Sequence, residues 1–315
     1  MNKYKKIAFI FPGQGAQFPG MGKDFLQGFS AARLTFEEAD EILKRKLSRT
    51  ILEGPDNELT QTENSQPGIY VVSMAILRVI QELFSIQPYV CAGLSLGEYT
   101  ALTAADILPF MQCLPLIQYR AKSMNEACHK KQGVMAAVIG LDAEAADEVI
   151  KKVNLPNDLW VANYNCPGQI VFSGTVKGIE VGSVIAKEKG AKKIIPLQVQ
   201  GAFHSGLMLS AEHQLGEHIQ HTSLNEGNAK MVMNVPGDFV IDLNTIKNCL
   251  IKQVTHSVRW EQSIRAMDRD GIDLFIEFGP GKTLSGMNKR ISPQAPTISI
   301  ETIEDLDKLE KEIHV

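Results

Sequence analysis

Short apolar runs alternate with longer helical ones along much of this chain, which predicts strands alternating with helices. Ile7–Phe11 is an unbroken run of five apolar residues and predicts a first strand. Thr35–Lys46, Ser65–Phe84 and the amphipathic Leu114–Cys128 are expected to be helices. Ser65 has the side chain of an N-cap, and Pro67 would fall in the first turn, where proline is tolerated. Between the second and third helices, the run Pro88–Ala92 has strand character, and Glu98–Ala105 reads as one more helix. Strand then helix, repeated, implies an α/β fold with a largely parallel sheet.

From Val134 the pattern changes. Val134–Ile139 is expected as a strand, Ala143–Val153 as a helix, and Leu159–Tyr164 and Gln169–Ser173 as strands. Gly178–Lys189 follows as a helix and Lys193–Leu197 as a strand. That is the β-α-β-β-α-β order of a ferredoxin-like unit. Strands of the first kind return at Leu274–Phe278 and Thr297–Ile300. A small unit, residues 131–199, is therefore expected as an insertion in a larger one made of residues 1–130 and 200–315.

Composition narrows the function. Of 315 residues, 44% are hydrophobic and 22% charged, as in an ordinary soluble globule with a sizeable core. A net charge of −4 without long runs of one sign argues against a general nucleic-acid binder. No apolar stretch is seen to approach the ~20 residues of a bilayer span, so no membrane insertion is expected. The basic start Met1–Lys6 meets only the five-residue apolar run and then Pro12-Gly13, which reads as a strand and not a signal peptide. Cys91, Cys113, Cys128, Cys166 and Cys249 are odd in number, scattered and without a CxxC pair. They fit reduced thiols in a cytoplasmic enzyme, with neither a disulfide framework nor a metal site.

The segment Gly93-Leu94-Ser95-Leu96-Gly97, between a strand and a helix, carries the nucleophile-elbow pattern. Such a turn holds the serine in a strained backbone, and a Cβ at either glycine would crowd the crossing elements. The serine then sits at a helix N-terminus, where free N–H groups favour a developing oxyanion. The plainer alternative is a glycine-rich turn with an incidental serine. Two other glycine-rich stretches imitate phosphate loops. Phe11–Gln17 lacks the third glycine of a dinucleotide fingerprint, since position 18 is Phe, and Gly279–Thr283 lacks the first glycine of a P-loop, which would fall at Ile276. Both read as tight turns at the carboxyl ends of strands, where the N–H of Gln14 could aim at a carbonyl held by Ser95.

An activated serine needs a base. His213, His218, His221 and His314 read as solvated, and His129 lies beside Lys130 and Lys131. His204 follows a strand where the chain returns from the inserted unit, which makes it the first candidate, with His256 the second. No Asp or Glu between Ser95 and His204 stands out as a triad acid.

Six segments in this order carry a family resemblance: Phe11–Gln17, Gly93–Tyr99, Tyr119–Lys122, Asn163–Gln169, Gly201–Ser205 and Glu277–Lys282. Together they resemble the malonyl-CoA:acyl carrier protein transacylases of fatty-acid synthesis, from about Lys6 to Arg290. The resemblance implies an α/β-hydrolase-like large domain with an inserted ferredoxin-like subdomain. It implies Ser95 as nucleophile and His204 as base, the latter oriented by a backbone carbonyl at Gln253. That would account for the missing acid. The oxyanion hole would be the N–H groups of Gln14 and Leu96. Arg120, by itself a solvated arginine beside Lys122, becomes the ligand of the substrate's free carboxylate, for which its planar fork suits it. Phe203 would crowd the substrate's α-carbon. Leu94 is a departure, because many members have His there, but that histidine is not the base.

The implied substrates are malonyl-CoA and acyl carrier protein, with the CoA thioester as substrate and no cofactor. A monomer is expected. Carrier proteins are acidic as a family, and the pairs Lys192-Lys193 and Lys289-Arg290 could flank the cleft as a docking patch. A trans-acting polyketide acyltransferase and an editing acyl hydrolase stay open on the same scaffold, and a non-catalytic thioester-binding module is disfavoured by the presence of both Ser95 and His204.

Overall fold

The apolar runs of the chain come together as the inner strands of two sheets. The computed structural model describes residues 3–313. Its strands are β1 Ile7–Phe11, β2 Val90–Gly93, β3 Val134–Ile139, β4 Leu159–Cys166, β5 Gln169–Gly174, β6 Lys193–Pro196, β7 Lys230–Met233, β8 Asp238–Val240, β9 Leu274–Phe278 and β10 Thr297–Ile300.

The larger sheet has the order β10-β9-β1-β2-β7-β8, parallel except for the edge strand β8. All five residues of β1 are buried. A parallel strand covered by helices on both faces must be apolar throughout, which is why Ile7–Phe11 shows no alternation. Phe278 packs on both Phe9, at 4.7 Å, and Phe11, at 5.9 Å between ring centroids. The second sheet, β4-β5-β3-β6, is antiparallel and carries the helices Ala143–Val153 and Val176–Glu188. Val138, Val149, Ile170, Phe172 and Ala186 form its separate core. Its β-α-β-β-α-β order is the one the sequence pattern predicts.

The residues leading into the helix Trp260–Arg269 pair with the second sheet. Val258 donates its N–H to the Ala162 carbonyl at 2.8 Å and accepts from the Tyr164 N–H at 2.9 Å. The contact falls at a register shift in β4 between Val161 and Asn163. An irregularity at that place interrupts the β4–β5 ladder.

Several element limits differ from expectation. The helix expected at Thr35–Lys46 is Ser30–Leu43, and that expected at Leu114–Cys128 runs from Phe110 to Lys130. The long helix begins at Thr62, with Gln61 at the N-cap, so Ser65 is not a cap. Ser65 is instead buried with its hydroxyl unpartnered. Pro67 then lies beyond the first turn and cannot bond the carbonyl of Glu63. Arg45 fills the gap by donating to that carbonyl at 2.8 Å. This helix, Thr62–Phe84, also corrects the expectation that no apolar stretch approaches a bilayer span, since its best window has mean hydropathy 1.4. That window is 72% buried inside the protein, so its apolar character belongs to a core helix.

Candidate active site

Ser95 sits where β2 turns into the helix Gly97–Ala104, with φ +54°, a left-handed conformation costly for any residue but glycine. The flanking glycines make the turn possible. A Cβ on Gly93 would come within 2.0 Å of the Gly97 carbonyl group, and one on Gly97 within 2.1 Å of the Phe11 carbonyl oxygen. The strand, the turn and the helix therefore touch backbone to backbone.

His204 reaches this turn from a loop pressed against the helix Phe110–Lys130. Gly201 leaves no room for a side chain there, because a Cβ would meet the Cys128 sulfur at 2.2 Å. Ser95 Oγ lies 2.9 Å from His204 Nε2, and His204 Nδ1 lies 2.8 Å from the Gln253 carbonyl oxygen. A carbonyl only accepts, so Nδ1 carries the proton and Nε2 is left to accept the serine hydroxyl's. Burial, and then the charge of Arg120, push the His204 pKa down to about 4, so the imidazole is neutral near neutral pH. His256, the second candidate base, is exposed and bonds the Lys252 carbonyl. His129, His213, His218 and His221 are exposed, His218 stacking on Tyr119, and His314 lies outside the described residues.

Arg120 is not a solvated helix residue. It is 1% exposed and donates to Ser95 Oγ at 3.0 Å, to Gln253 Oε1 at 2.7 Å and to Gln66 Oε1 at 2.7 Å. Its guanidinium lies over the Tyr99 ring. Burial lowers its pKa, which the neighbouring Glu98 charge opposes. The N–H groups of Gln14 and Leu96 make no hydrogen bond among the described residues. The Gln14 side chain is tied to Thr62 and Gln66, which fixes its turn.

A cavity of about 280 Å³ opens above Ser95 and draws its walls from both sheets. Gln14, Ser95, His204 and Phe203 face Asn163 and Asn165 across it. Phe203 is nearly buried in the apolar part of the wall. The sequence reading missed Gln66, Glu98 and Asn234. Asn234 accepts from the Ser95 N–H at 2.7 Å and donates to the Gly93 carbonyl at 2.7 Å. Glu98 is fully buried and accepts from the Asn234 N–H and from Gln253 Nε2, both at 2.6 Å. It is an acid between Ser95 and His204 in the chain, yet it bonds the residues around the dyad and not the histidine. Only its place inside Gly93–Tyr99 marked it in the sequence.

Residues 8–297 match the family model described as acyl transferase domain. The malonyl CoA-acyl carrier protein transacylase of Bacillus subtilis (strain 168) is 46% identical over 303 residues, 95% of either chain. The chain belongs to the malonyl CoA-acyl carrier protein transacylase family. A solved family structure from Coxiella burnetii superposes with a TM-score of 0.95 at 31% identity, covering 100% of both chains. Another solved structure holds a type II PKS acyl-carrier protein in complex with its malonyl-transacylase. It matches with a TM-score of 0.93 at 33% identity, covering 96% of this chain and 98% of that one. Within the family this chain has Leu94 before the serine, and Leu94 lines the cavity.

Lys192, Lys193 and Lys289 are exposed. Arg290 is spent differently. It donates to the Pro167 carbonyl at 2.7 Å and to Gln169 Oε1 at 3.0 Å, so it ties the helix Thr283–Ile291 to the β4–β5 turn. Gly168 of that turn accepts from the Gly140 N–H, and the Lys192 stem packs at Gly140, so Lys192 and Arg290 lie on one continuous surface.

Proposed function

We propose that this chain moves a malonyl group from CoA to the phosphopantetheine thiol of acyl carrier protein through an ester on Ser95. The overall activity, malonyl-CoA:acyl carrier protein transacylation supplying fatty-acid synthesis, follows from membership at 46% identity over 95% of the chain. The residue roles are our reading of the geometry.

In the first half-reaction the Ser95 hydroxyl gives its proton to His204 Nε2 while Oγ attacks the thioester carbonyl. The oxyanion that forms would be received by the free N–H groups of Gln14 and Leu96. Collapse breaks the C–S bond, and the CoA sulfur leaves with the proton from His204. In the second, the carrier thiol gives its proton to His204 and attacks the malonyl ester. Ser95 Oγ then leaves and recovers the proton. The Gln253 carbonyl supports the imidazolium that forms in each half, in the place of a triad carboxylate.

The observation that carries the choice of malonyl is Arg120. A buried guanidinium 3.0 Å from the nucleophile's oxygen puts a positive charge where a substrate's free carboxylate would lie. The malonyl carboxylate would take Arg120 bonds now held by Gln66 and Ser95. A monomer suffices, since every group named comes from one chain. A reducing, cytoplasmic setting suits its five buried, unpaired cysteines. Intact mass after mixing with malonyl-CoA tests the scheme. One malonyl adduct is expected, mapped to Ser95 and absent from Ser95→Ala. An adduct retained by that variant would overturn it.

A further inference from the structure

The residues under the elbow converge on one carboxylate. Ser95 has both backbone groups held by side chains from distant parts of the chain. Its N–H donates to Asn234 Oδ1 at 2.7 Å, and its carbonyl accepts from Gln253 Nε2 at 2.9 Å. Those two residues are in turn held by Glu98, whose one oxygen takes the Asn234 N–H and whose other takes Gln253 Nε2. Gln253 also supplies the carbonyl that orients His204 and the Oε1 that receives Arg120. A single buried carboxylate therefore sits behind the nucleophile's strained backbone, the base's orienting carbonyl and the substrate-facing arginine.

We infer that Glu98 is the positioning residue of this site, locking Ser95 and His204 in register through Asn234 and Gln253. The inference rests on Ser95 and His204 being nucleophile and base. Glutamate is required by the arrangement of donors. Both its oxygens meet N–H groups, and an ionised carboxylate only accepts. A glutamine there would turn an NH₂ of its own toward either the Asn234 N–H or the Gln253 NH₂. Gln253 cannot turn its amide over in response, because its oxygen is engaged by Arg120 and its nitrogen by Ser95. A protonated Glu98 would lose the same contact. Burial raises the Glu98 pKa to about 7, opposed by the bonds from Asn234 and Gln253 and by Arg120. The other ionisable groups that face it are Tyr99 on its own helix and Cys249 on the helix Leu243–Gln253. Burial raises the pKa of both, which keeps them neutral.

The test measures the rate of malonyl-Ser95 formation per folded molecule, by rapid quench and intact mass. Glu98→Gln is expected to lose roughly 10²-fold in that rate, the scale of a misplaced reacting group. KM should stay close to the parent's, and acetyl-CoA should lose a comparable factor, since the dyad serves both thioesters. In the unaltered enzyme the rate should rise with pH through about 7 as Glu98 ionises, and this limb should be missing from Glu98→Gln. Glu98→Asp, which restores a carboxylate, should recover part of the rate and the limb. A glutamine variant within threefold of the parent rate, or a loss confined to malonyl, overturns the inference. Should that variant not fold, a parent profile flat near pH 7 overturns it instead. A parent adduct mapped away from Ser95 would overturn the reading of the site first, and that result is separate from all of these.

Discussion

The floor beneath Ser95 and the exposed lysines of the surface use polar residues in opposite ways. Below, Arg120, Glu98, Asn234 and Gln253 are almost wholly removed from water and bonded to one another. At the surface, Lys192, Lys193 and Lys289 stand in solvent and form no ion pair among the described residues. Removing a member of a buried network strands its partners, which costs about 1–3 kcal/mol or more per group. Charges in water are screened over ~8 Å at physiological salt, and each is worth little alone. Malonyl transfer should therefore fail sharply when the floor is cut, while docking through the surface lysines should fade gradually.

The sharpest break should come at the dyad itself. His204→Ala is expected to slow acylation of Ser95 by about 10²–10⁴-fold, the usual worth of a general base. Below the step near pH 7 set by Glu98, the intact enzyme should lose its remaining acylation as pH falls through about 4, because His204 is active only when neutral and its pKa is depressed to that value. The variant should lack that limb. Single-turnover rates across pH 3–6, with folding followed by circular dichroism, would check both. A variant with the parent's acid limb would show that another group titrates there.

Arg120→Ala comes next. Taking away one partner of a desolvated charge pair costs about 2–5 kcal/mol, and the loss should fall on malonyl transfer. Acetyl-CoA has no carboxylate for Arg120 to hold, so its transfer should be kept or improved. Parallel kcat/KM values for the two thioesters give the answer. Equal losses would mean that Arg120 serves chiefly as the brace of Gln66 and Gln253.

How much of this could be seen in the sequence follows the same division between local and long-range. The turn at Ser95 was legible because the crowding there is local, with Gly93 and Gly97 two residues to either side. The inserted sheet was legible because its strands and helices are consecutive. The floor was not. Glu98 meets Asn234 and Gln253, 136 and 155 residues away, and no periodicity announces such a meeting. The burial of Arg120 was hidden for a related reason, since its neighbour Lys122 is exposed on the same helix. Helix starts moved where tertiary packing overrode local caps, as at Ser65. The helices Leu243–Gln253 and Trp260–Arg269 went unseen in a polar stretch, although the first carries the carbonyl that orients His204.

The smallest effect is expected at the surface lysines, and Arg290 sharpens it. The enzyme is net negative, so an acidic carrier needs a local basic surface, and the exposed Lys192, Lys193 and Lys289 are the candidates for it. Reversing these three charges should mainly slow association with the carrier and flatten its dependence on salt. Formation of malonyl-Ser95 from malonyl-CoA should change less, because the lysines hold nothing in the floor. Arg290→Glu should behave differently. Arg290 ties the helix Thr283–Ile291 to the turn Pro167–Gln169, and Gln169 lines the cavity. Its reversal should therefore disturb the malonyl-CoA half-reaction as well as the carrier's. Stopped-flow rates for both half-reactions at low and high salt would separate the two cases. If the three lysine reversals leave carrier association unchanged at low salt, the carrier docks elsewhere. If Arg290→Glu slows only the carrier step, Arg290 belongs with the lysines and not with the walls of the site.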